Sequence, residues 1–296
     1  MKFAAIDIGS NAMRLLLTRV LEGENGEEPF FKKEALMRFP LRLGEDAFTQ
    51  RRISDVNREK LIHIMRAYRQ FIDAYEPLSY RACATSAMRE VENGQEIVEQ
   101  IRAEAGLNLE IIHGKQEAEI IFANHFERKL NPRKTYLYID VGGGSTELTV
   151  FDNAKSTVSR SFKIGTVRLL KGMVPDERWK EMKHWIHEYT GEPKPDAAIG
   201  SGGNINKIFR ISRRKEGKPV PYKQLREIDK MLNSYSFEER IRRLNLRPDR
   251  ADVIVPASRI YLSVMKWADI HKIYVPQIGL ADGIVHLLYE EYRRER

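Results

Sequence analysis

The ten residues Ile6-Asp7-Ile8-Gly9-Ser10-Asn11-Ala12-Met13-Arg14-Leu15 align with Ile139-Asp140-Val141-Gly142-Gly143-Gly144-Ser145-Thr146-Glu147-Leu148 at a constant offset of 133 residues and with no gap, identical at the first Ile, the Asp, the first Gly and the Leu, with Ile8 against Val141. A period this long points to two related domains rather than to a solenoid of short units. Each copy reads as strand, tight turn, strand. The first arms, Phe3 to Ile8 and Tyr136 to Val141, are nearly continuous apolar runs, which predicts buried central strands. A chain of 296 residues is long enough for two such domains, each with its own core.

The repeat has a chemical consequence once a register is assumed. A tight turn centred on residues 143 and 144 sets Gly142 against Ser145, Val141 against Thr146 and Asp140 against Glu147. Directly opposed side chains in a hairpin lie about 5 Å apart on one face. Two carboxylates that close repel each other and suit a hard divalent cation with oxygen ligands. The glycines let a ligand approach the backbone, whose successive N–H groups can cradle an anion. In the first copy the same register sets Asp7 against Arg14, a residue suited to phosphate. A shift of one residue would undo both pairings. A lone glycine-rich hairpin is usually only a hairpin; the duplication argues for more. The pattern is not a P-loop, because no G-x-x-x-x-G-K-[ST] occurs. Nor is it a dinucleotide fingerprint, because no helix follows the glycines.

A third glycine cluster, Gly200-Ser201-Gly202-Gly203, follows a short apolar strand and opens a helix. Helix N-termini bind phosphate, although a plain strand–helix turn reads the same way. Ser54 is placed to cap a helix over about 55–75 whose buried face carries Leu61, Met65, Tyr68, Ile72 and Tyr75. Further on, 80–90 reads as strand and loop with Cys83 a buried thiol. Arg89 at its end is either surface charge or an anion contact. Residues 96–105 form a helix stopped by Gly106, 109–114 a strand, and 115–130 a helix beginning near Lys115. That helix puts Glu117 in its first turn, where the helix dipole alone favours an acid. In the second half, 175–190 is an amphipathic helix and 213–221 a basic loop. The chain then reads as helix (257–267), strand (271–276) and helix (281–292).

Composition narrows the partners. Fifty basic against 42 acidic residues give a net charge of +8, which favours anionic ligands without choosing among them. The single cysteine excludes a disulfide framework and a cysteine-based metal cage. The seven histidines show no metal-ligand spacing, and His184 and His187 read as surface residues. No apolar run reaches membrane-spanning length, and no charged-then-apolar leader precedes the first strand, so the expectation is a cytoplasmic protein without membrane contact. Nucleic-acid binding by the basic loop is disfavoured, because aromatic residues do not interleave with the charges.

Taken in order, AAIDIGSNAMRLLL, ACATSAMREVENG, IIHGKQEAEIIF, YIDVGGGSTEL, IGSGGNINKI, RADVIVPASRI and GLADGIV resemble the exopolyphosphatase and guanosine pentaphosphate phosphohydrolase family, in its short two-domain type. The resemblance implies an α/β fold of two duplicated actin-like (ribonuclease H-like, sugar kinase/Hsp70/actin superfamily) domains around a central cleft. The first would span 1–126, with the C-terminal helix at about 281–296 available to pack back on it, and the second 127–296. It implies Glu117, within Gly114-Lys115-Gln116-Glu117-Ala118, as general base and as a further candidate metal ligand. Asp140 and Glu147 match the family's divalent-metal acids, with Mg²⁺ the expected ion. Gly9, Ser10, Asn11 and Arg14, then Gly142, Gly143, Gly144, Ser145 and Thr146, then Gly202 and Gly203 match phosphate-binding positions, and Arg89 a phosphate-facing arginine. The implied reaction is Mg²⁺-dependent release of terminal orthophosphate from polyphosphate or guanosine pentaphosphate. A homodimer is left open. Three positions depart from the family: Ala12 replaces a serine, Gln116 a second acid and Glu119 an arginine. Two alternatives stand beside this reading: a non-catalytic polyphosphate or alarmone sensor, and an ATP-hydrolysing or kinase member of the superfamily.

Overall fold

The computed structural model describes residues 1–23, 27–123, 131, 133–152 and 155–295. It divides into two units, Met1–Asn124 with Leu280–Arg296, and His125–Gly279.

The first unit runs β1 (Lys2–Ile8), β2 (Met13–Leu21), β3 (Phe30–Phe39), α1 (Leu43–Gln50), α2 (Asp55–Tyr75), β4 (Ser79–Ala84), α3 (Ser86–Arg89), α4 (Gly94–Ala105), β5 (Leu109–Ile111) and α5 (Gly114–Phe122). The second runs β6 (Tyr136–Val141), β7 (Thr146–Asp152), β8 (Lys155–Phe162), α6 (Thr166–Leu170), α7 (Asp176–Tyr189), β9 (Ala197–Ser201), α8 (Gly203–Ser212), β10 (Val220–Pro221), α9 (Tyr222–Ser234), α10 (Phe237–Leu244), α11 (Pro248–Ala251), α12 (Ile254–Trp267) and β11 (Lys272–Tyr274). The last helix, α13 (Leu280–Arg294), belongs to the first unit.

The two sheets share one plan. In the first the order is β3-β2-β1-β4-β5; in the second β8-β7-β6-β9-β11 repeats it, with β10 added at the edge. In each, three antiparallel strands lead into parallel partners. The duplication seen in ten residues therefore extends through both units. As their apolar runs predict, β1 and β6 lie inside their sheets, and nearly every residue of each is buried.

Local chemistry explains the elements that hold the site. Ser54 caps α2 by accepting from the Asn57 N–H at 3.4 Å, and Asp46 in turn accepts from both the Ser54 N–H and its hydroxyl. Leu61, Met65, Tyr68 and Ile72 form the buried stripe, whereas Tyr75 is only half-buried, its hydroxyl turned to Glu34 at 2.7 Å. Gly106 ends α4 in the left-handed region (φ 63°), a conformation glycine adopts without strain. Helix α13 seals the first sheet: Phe3 meets the edges of Tyr289 and Tyr292, Phe31 stacks on His286, and Lys33 pairs with Asp282 at 2.5 Å.

Several boundaries differ from the sequence reading. Helix α5 ends at Phe122; the remainder of the expected helix, 124–130, lies outside the described residues. The last strand is only Lys272–Tyr274, and the basic loop closes in the two-residue strand β10. Among the described residues no helix is long and apolar enough to cross a membrane.

Candidate active site

Strands β6 and β7 pair Asp140 with Glu147 and Val141 with Thr146, and Gly142 N–H donates to the Ser145 carbonyl at 2.9 Å. This is the register assumed from the sequence. Pairing continues on both sides, Ser201 beside Asp140 and Ser161 beside Glu147. One face of the sheet thus carries the row Ser201, Asp140, Glu147, Ser161. Glu147 is 4% exposed and accepts from the Ser161 hydroxyl at 2.8 Å; Asp140 is half-buried. Beneath the row the Tyr138 hydroxyl donates to Ser201 Oγ at 2.6 Å. Burial, and then the charge of Asp140, push the Tyr138 phenol well above its ordinary range, so it stays a donor.

The glycine turn is held from behind. Its carbonyls at Gly142, Gly143 and Gly144 accept from Thr166 N–H at 3.0 Å, Val167 N–H at 2.9 Å and Arg168 Nε at 2.8 Å. A trans peptide directs its C=O and the following N–H in opposite directions. The N–H groups of Gly143, Gly144 and Ser145 therefore point away from 166–168. That brace lies on the Val141–Thr146 side of the sheet, since the Thr146 hydroxyl donates to the Ile164 carbonyl. Side chains alternate between faces, so the three N–H groups face the side that carries Asp140 and Glu147. Consecutive N–H groups of this kind form an anion cradle.

Gly165 makes the brace possible. A Cβ there would fall 2.3 Å from the Gly143 carbonyl oxygen. Gly165→Ala must displace backbone, and overpacking of this kind costs ~1–3 kcal/mol. Lower thermal stability together with weaker orthophosphate binding is the expected outcome; a variant matching wild type in both would show that the turn does not depend on its brace.

The third glycine cluster joins this site. Gly202 has φ 98°, and a Cβ on it would lie 3.2 Å from Asp140 Oδ1, so the Asp140 carboxylate rests against the turn that opens α8. A Cβ on Gly203 would lie 2.5 Å from Arg250 Nη1, which donates to Asn204 Oδ1 at 3.2 Å. Arg250 thus adds a cation at the start of this helix. Neither Arg250 nor Arg168 was singled out from sequence; only tertiary contact reveals their places.

In the first unit the matching hairpin pairs Asp7 with Arg14, and their side chains form an ion pair. Its turn is braced in the same manner: the Ser10 carbonyl accepts from Gly44 N–H at 2.8 Å and the Asn11 carbonyl from Arg42 N–H at 3.1 Å. The N–H groups of Asn11 and Ala12 accordingly point away from α1. Gly44 repeats the role of Gly165, since a Cβ there would lie 2.9 Å from Ser10 Cβ. Arg89, at the end of α3, donates through Nη1 to the Ile112 carbonyl at 2.6 Å and approaches Glu117 Oε2 at 3.3 Å. The first unit therefore brings Arg89 and Glu117 together, both side chains about one-sixth exposed. Cys83, beside Asp7 in the sheet, is fully buried, and burial pushes its thiol up to about 12, which removes it from thiolate chemistry.

The donor set of the second unit fits a hard cation. Two carboxylates face each other in register, with hydroxyls at both ends of the row and a glycine that leaves space beside Asp140. Among the described residues no three His, Cys, Asp or Glu side chains are grouped to hold a metal ion; the carboxylates that this row could offer one are the pair Asp140 and Glu147. Such an ion would complete its shell from water and phosphate oxygens.

Comparison with known proteins identifies the family. The model of the Ppx/GppA phosphatase family matches residues 35–291. Exopolyphosphatase 1 of Mycobacterium tuberculosis is 22% identical over 96% of this chain and 87% of its own length. A solved exopolyphosphatase from Cytophaga hutchinsonii superposes with a TM-score of 0.83, at 22% identity over 98% of both chains. The Aquifex aeolicus Ppx/GppA protein gives 0.77, at 24% identity over 99% of this chain and 98% of its own. These structures share the duplicated two-unit α/β fold that the motifs implied. With a family match over most of its length, the chain belongs to the Ppx/GppA phosphatase family, and its chemistry is phosphoanhydride hydrolysis.

Proposed function

We propose that this hydrolase removes terminal orthophosphate from inorganic polyphosphate, with guanosine pentaphosphate as a second substrate, in a Mg²⁺-dependent reaction with Glu117 as general base. The observation that carries the reading is the braced turn Gly142–Ser145, whose three consecutive N–H groups face the side of the carboxylate pair Asp140 and Glu147. One terminal phosphate and one divalent cation match that arrangement. The family relationship to exopolyphosphatases supports the substrate class.

Phosphoryl transfer demands mainly positioning and neutralised charge. Asp140 and Glu147 would hold the Mg²⁺, which when bound neutralises charge on the phosphate oxygens. The Gly143–Ser145 N–H groups orient the terminal phosphate, and Arg250 adds positive charge at the start of α8. Glu117 accepts a proton from the attacking water. In the structure it faces Arg89, and a phosphate bound by Arg89 would compete for that guanidinium.

The deciding experiment measures orthophosphate release from long polyphosphate, short polyphosphate, guanosine pentaphosphate and ATP, with Mg²⁺ and with chelator. Release from polyphosphate that chelator abolishes supports the proposal. Turnover of ATP alone would favour the kinase-like alternative, and binding without release the sensor.

The basic loop tests the length of the substrate. Arg213, Arg214, Lys215 and Lys218 are exposed, with Arg214 Nε donating to Gln224 at 2.8 Å. Exposed charges act on a polyanion over about 10 Å at ordinary ionic strength. Neutralising all four is expected to raise KM for long polyphosphate two- to tenfold, to flatten its salt dependence, and to leave short substrates alone. Unchanged kinetics at low salt would make the loop a solvated surface.

A further inference from the structure

The two units differ at one point of their common plan. In the first, parallel pairing of β1 with β4 runs through Ile8 and Ala84, and Thr85 N–H donates to the Ile8 carbonyl at 3.0 Å. In the second, pairing of β6 with β9 ends at Asp140 and Ser201, one pair earlier when Asp7 is laid on Asp140. The next ladder bond would join Val141 N–H to the Ser201 carbonyl. A side chain occupies that place instead. The Tyr261 hydroxyl, from α12, donates to the Ser201 carbonyl at 2.6 Å, and its oxygen also has a backbone hydrogen bond with Val141. The hydroxyl is thus interposed in the ladder where the two strands part.

The surroundings are built for it. Tyr261 is fully buried in the core of its unit. Gly200 gives its ring room, since a Cβ there would lie 3.3 Å from Tyr261 Cε1. Both strand ends that it separates carry the site: β6 presents Asp140 and leads into the Gly142 turn, and β9 leads into Gly202 and Gly203. A Cβ on Gly202 would already stand 3.2 Å from Asp140 Oδ1, so little slack remains between the two.

We propose that Tyr261 is a positioning residue whose hydroxyl sets the spacing between Asp140 and the Gly202–Gly203 turn, and with it the affinity of the site for Mg²⁺. Without the hydroxyl, Val141 N–H and the Ser201 carbonyl are buried donor and acceptor with no partner, unless they close on each other. Closure carries Gly202 toward the Asp140 carboxylate and narrows the space beside it. The inference rests on the phosphohydrolase reading above only for its activity measurements.

The test compares Tyr261→Phe with Tyr138→Phe in the full chain. Tyr138 loses an equally buried hydroxyl bonded to the side chain of the same serine, but not one in the ladder. Calorimetric titration gives Mg²⁺ and orthophosphate affinity, thermal melting gives stability, and polyphosphate kinetics give kcat and KM. Tyr261→Phe is expected to weaken Mg²⁺ binding at least fivefold and to lower kcat at least tenfold, with KM changed less than twofold. Tyr138→Phe, which leaves the ladder intact, is expected to shift Mg²⁺ affinity clearly less than Tyr261→Phe does. Equal effects in the two variants, or a Tyr261→Phe protein that only melts earlier and binds Mg²⁺ normally, would overturn the proposal. A wild type that binds Mg²⁺ without cleaving polyphosphate would remove the phosphohydrolase reading and leave Tyr261 to be decided by the isotherms. A wild type that binds no Mg²⁺ would overturn both.

Discussion

Glu117→Gln is expected to lower turnover at least about 100-fold while the protein folds and binds polyphosphate normally. Losing a general base typically costs 10²- to 10⁴-fold, and a factor of 100 corresponds to ~2.7 kcal/mol of barrier. The structure explains why folding should survive. Glutamine keeps the shape, and Glu117 lies in the first turn of α5, whose backbone is anchored independently by its own N–H to the His113 carbonyl at 2.8 Å. Arg89 retains its bond to the Ile112 carbonyl when the carboxylate is gone. A structural role would appear as a lower melting temperature; a catalytic role appears as a loss of kcat alone. Turnover within a few-fold of wild type would remove Glu117 from the mechanism and make Glu119, two residues on, the next candidate.

Asp140→Asn and Glu147→Gln are each expected to raise the Mg²⁺ concentration needed for half-maximal activity and to lower activity at saturation by one to two orders of magnitude. An amide keeps an oxygen and the shape but loses the charge that a hard cation requires. The double variant should lose far less than the product of the single losses, because both carboxylates act through one ion. Asp7→Asn provides the contrast. Asp7 is paired with Arg14, so its loss should leave Mg²⁺ dependence nearly unchanged. Normal turnover and normal Mg²⁺ dependence in Asp140→Asn would reduce the hairpin to a structural turn.

What the sequence made legible was local. The register of each hairpin is assumed from a turn centred on the second glycine cluster, and the pairing of Asp140 with Glu147 and of Asp7 with Arg14 matches it. Ser54 and the stripe on α2 follow from capping and from a period of 3.6 residues. What stayed hidden depends on contacts between residues far apart in the chain. Nothing in Phe162-Lys163-Ile164-Gly165-Thr166 announces that this segment takes up the carbonyls of a turn some twenty residues earlier. Gly44, which takes up the Ser10 carbonyl in the first unit, gives no sequence signal of that contact. Strand β3, with Lys32, Lys33 and Glu34 in a row, carries no clear alternation; it is an edge strand whose pairing with β2 contains a bulge at Leu17/Thr18, and that shift breaks the period. Tyr261 reads as one more core aromatic of a helix, and only the interrupted ladder gives its hydroxyl a role.

The brace behind the Gly142–Ser145 turn also has a thermodynamic side. Glycine loses more conformational freedom on folding than any other residue, and fixing each backbone unit costs about 1–2 kcal/mol. Three adjacent glycines are among the least favourable sequences to hold in one shape. The hydrogen bonds from 166–168 supply that rigidity when the chain folds, before any phosphate arrives. A ligand then meets a receptor that is already ordered, and its binding energy is not consumed in arranging the loop. The second unit is accordingly less stable than a stiffer turn would make it, and the brace that offsets this would let an anion, as proposed, bind to bare backbone without a folding step of its own.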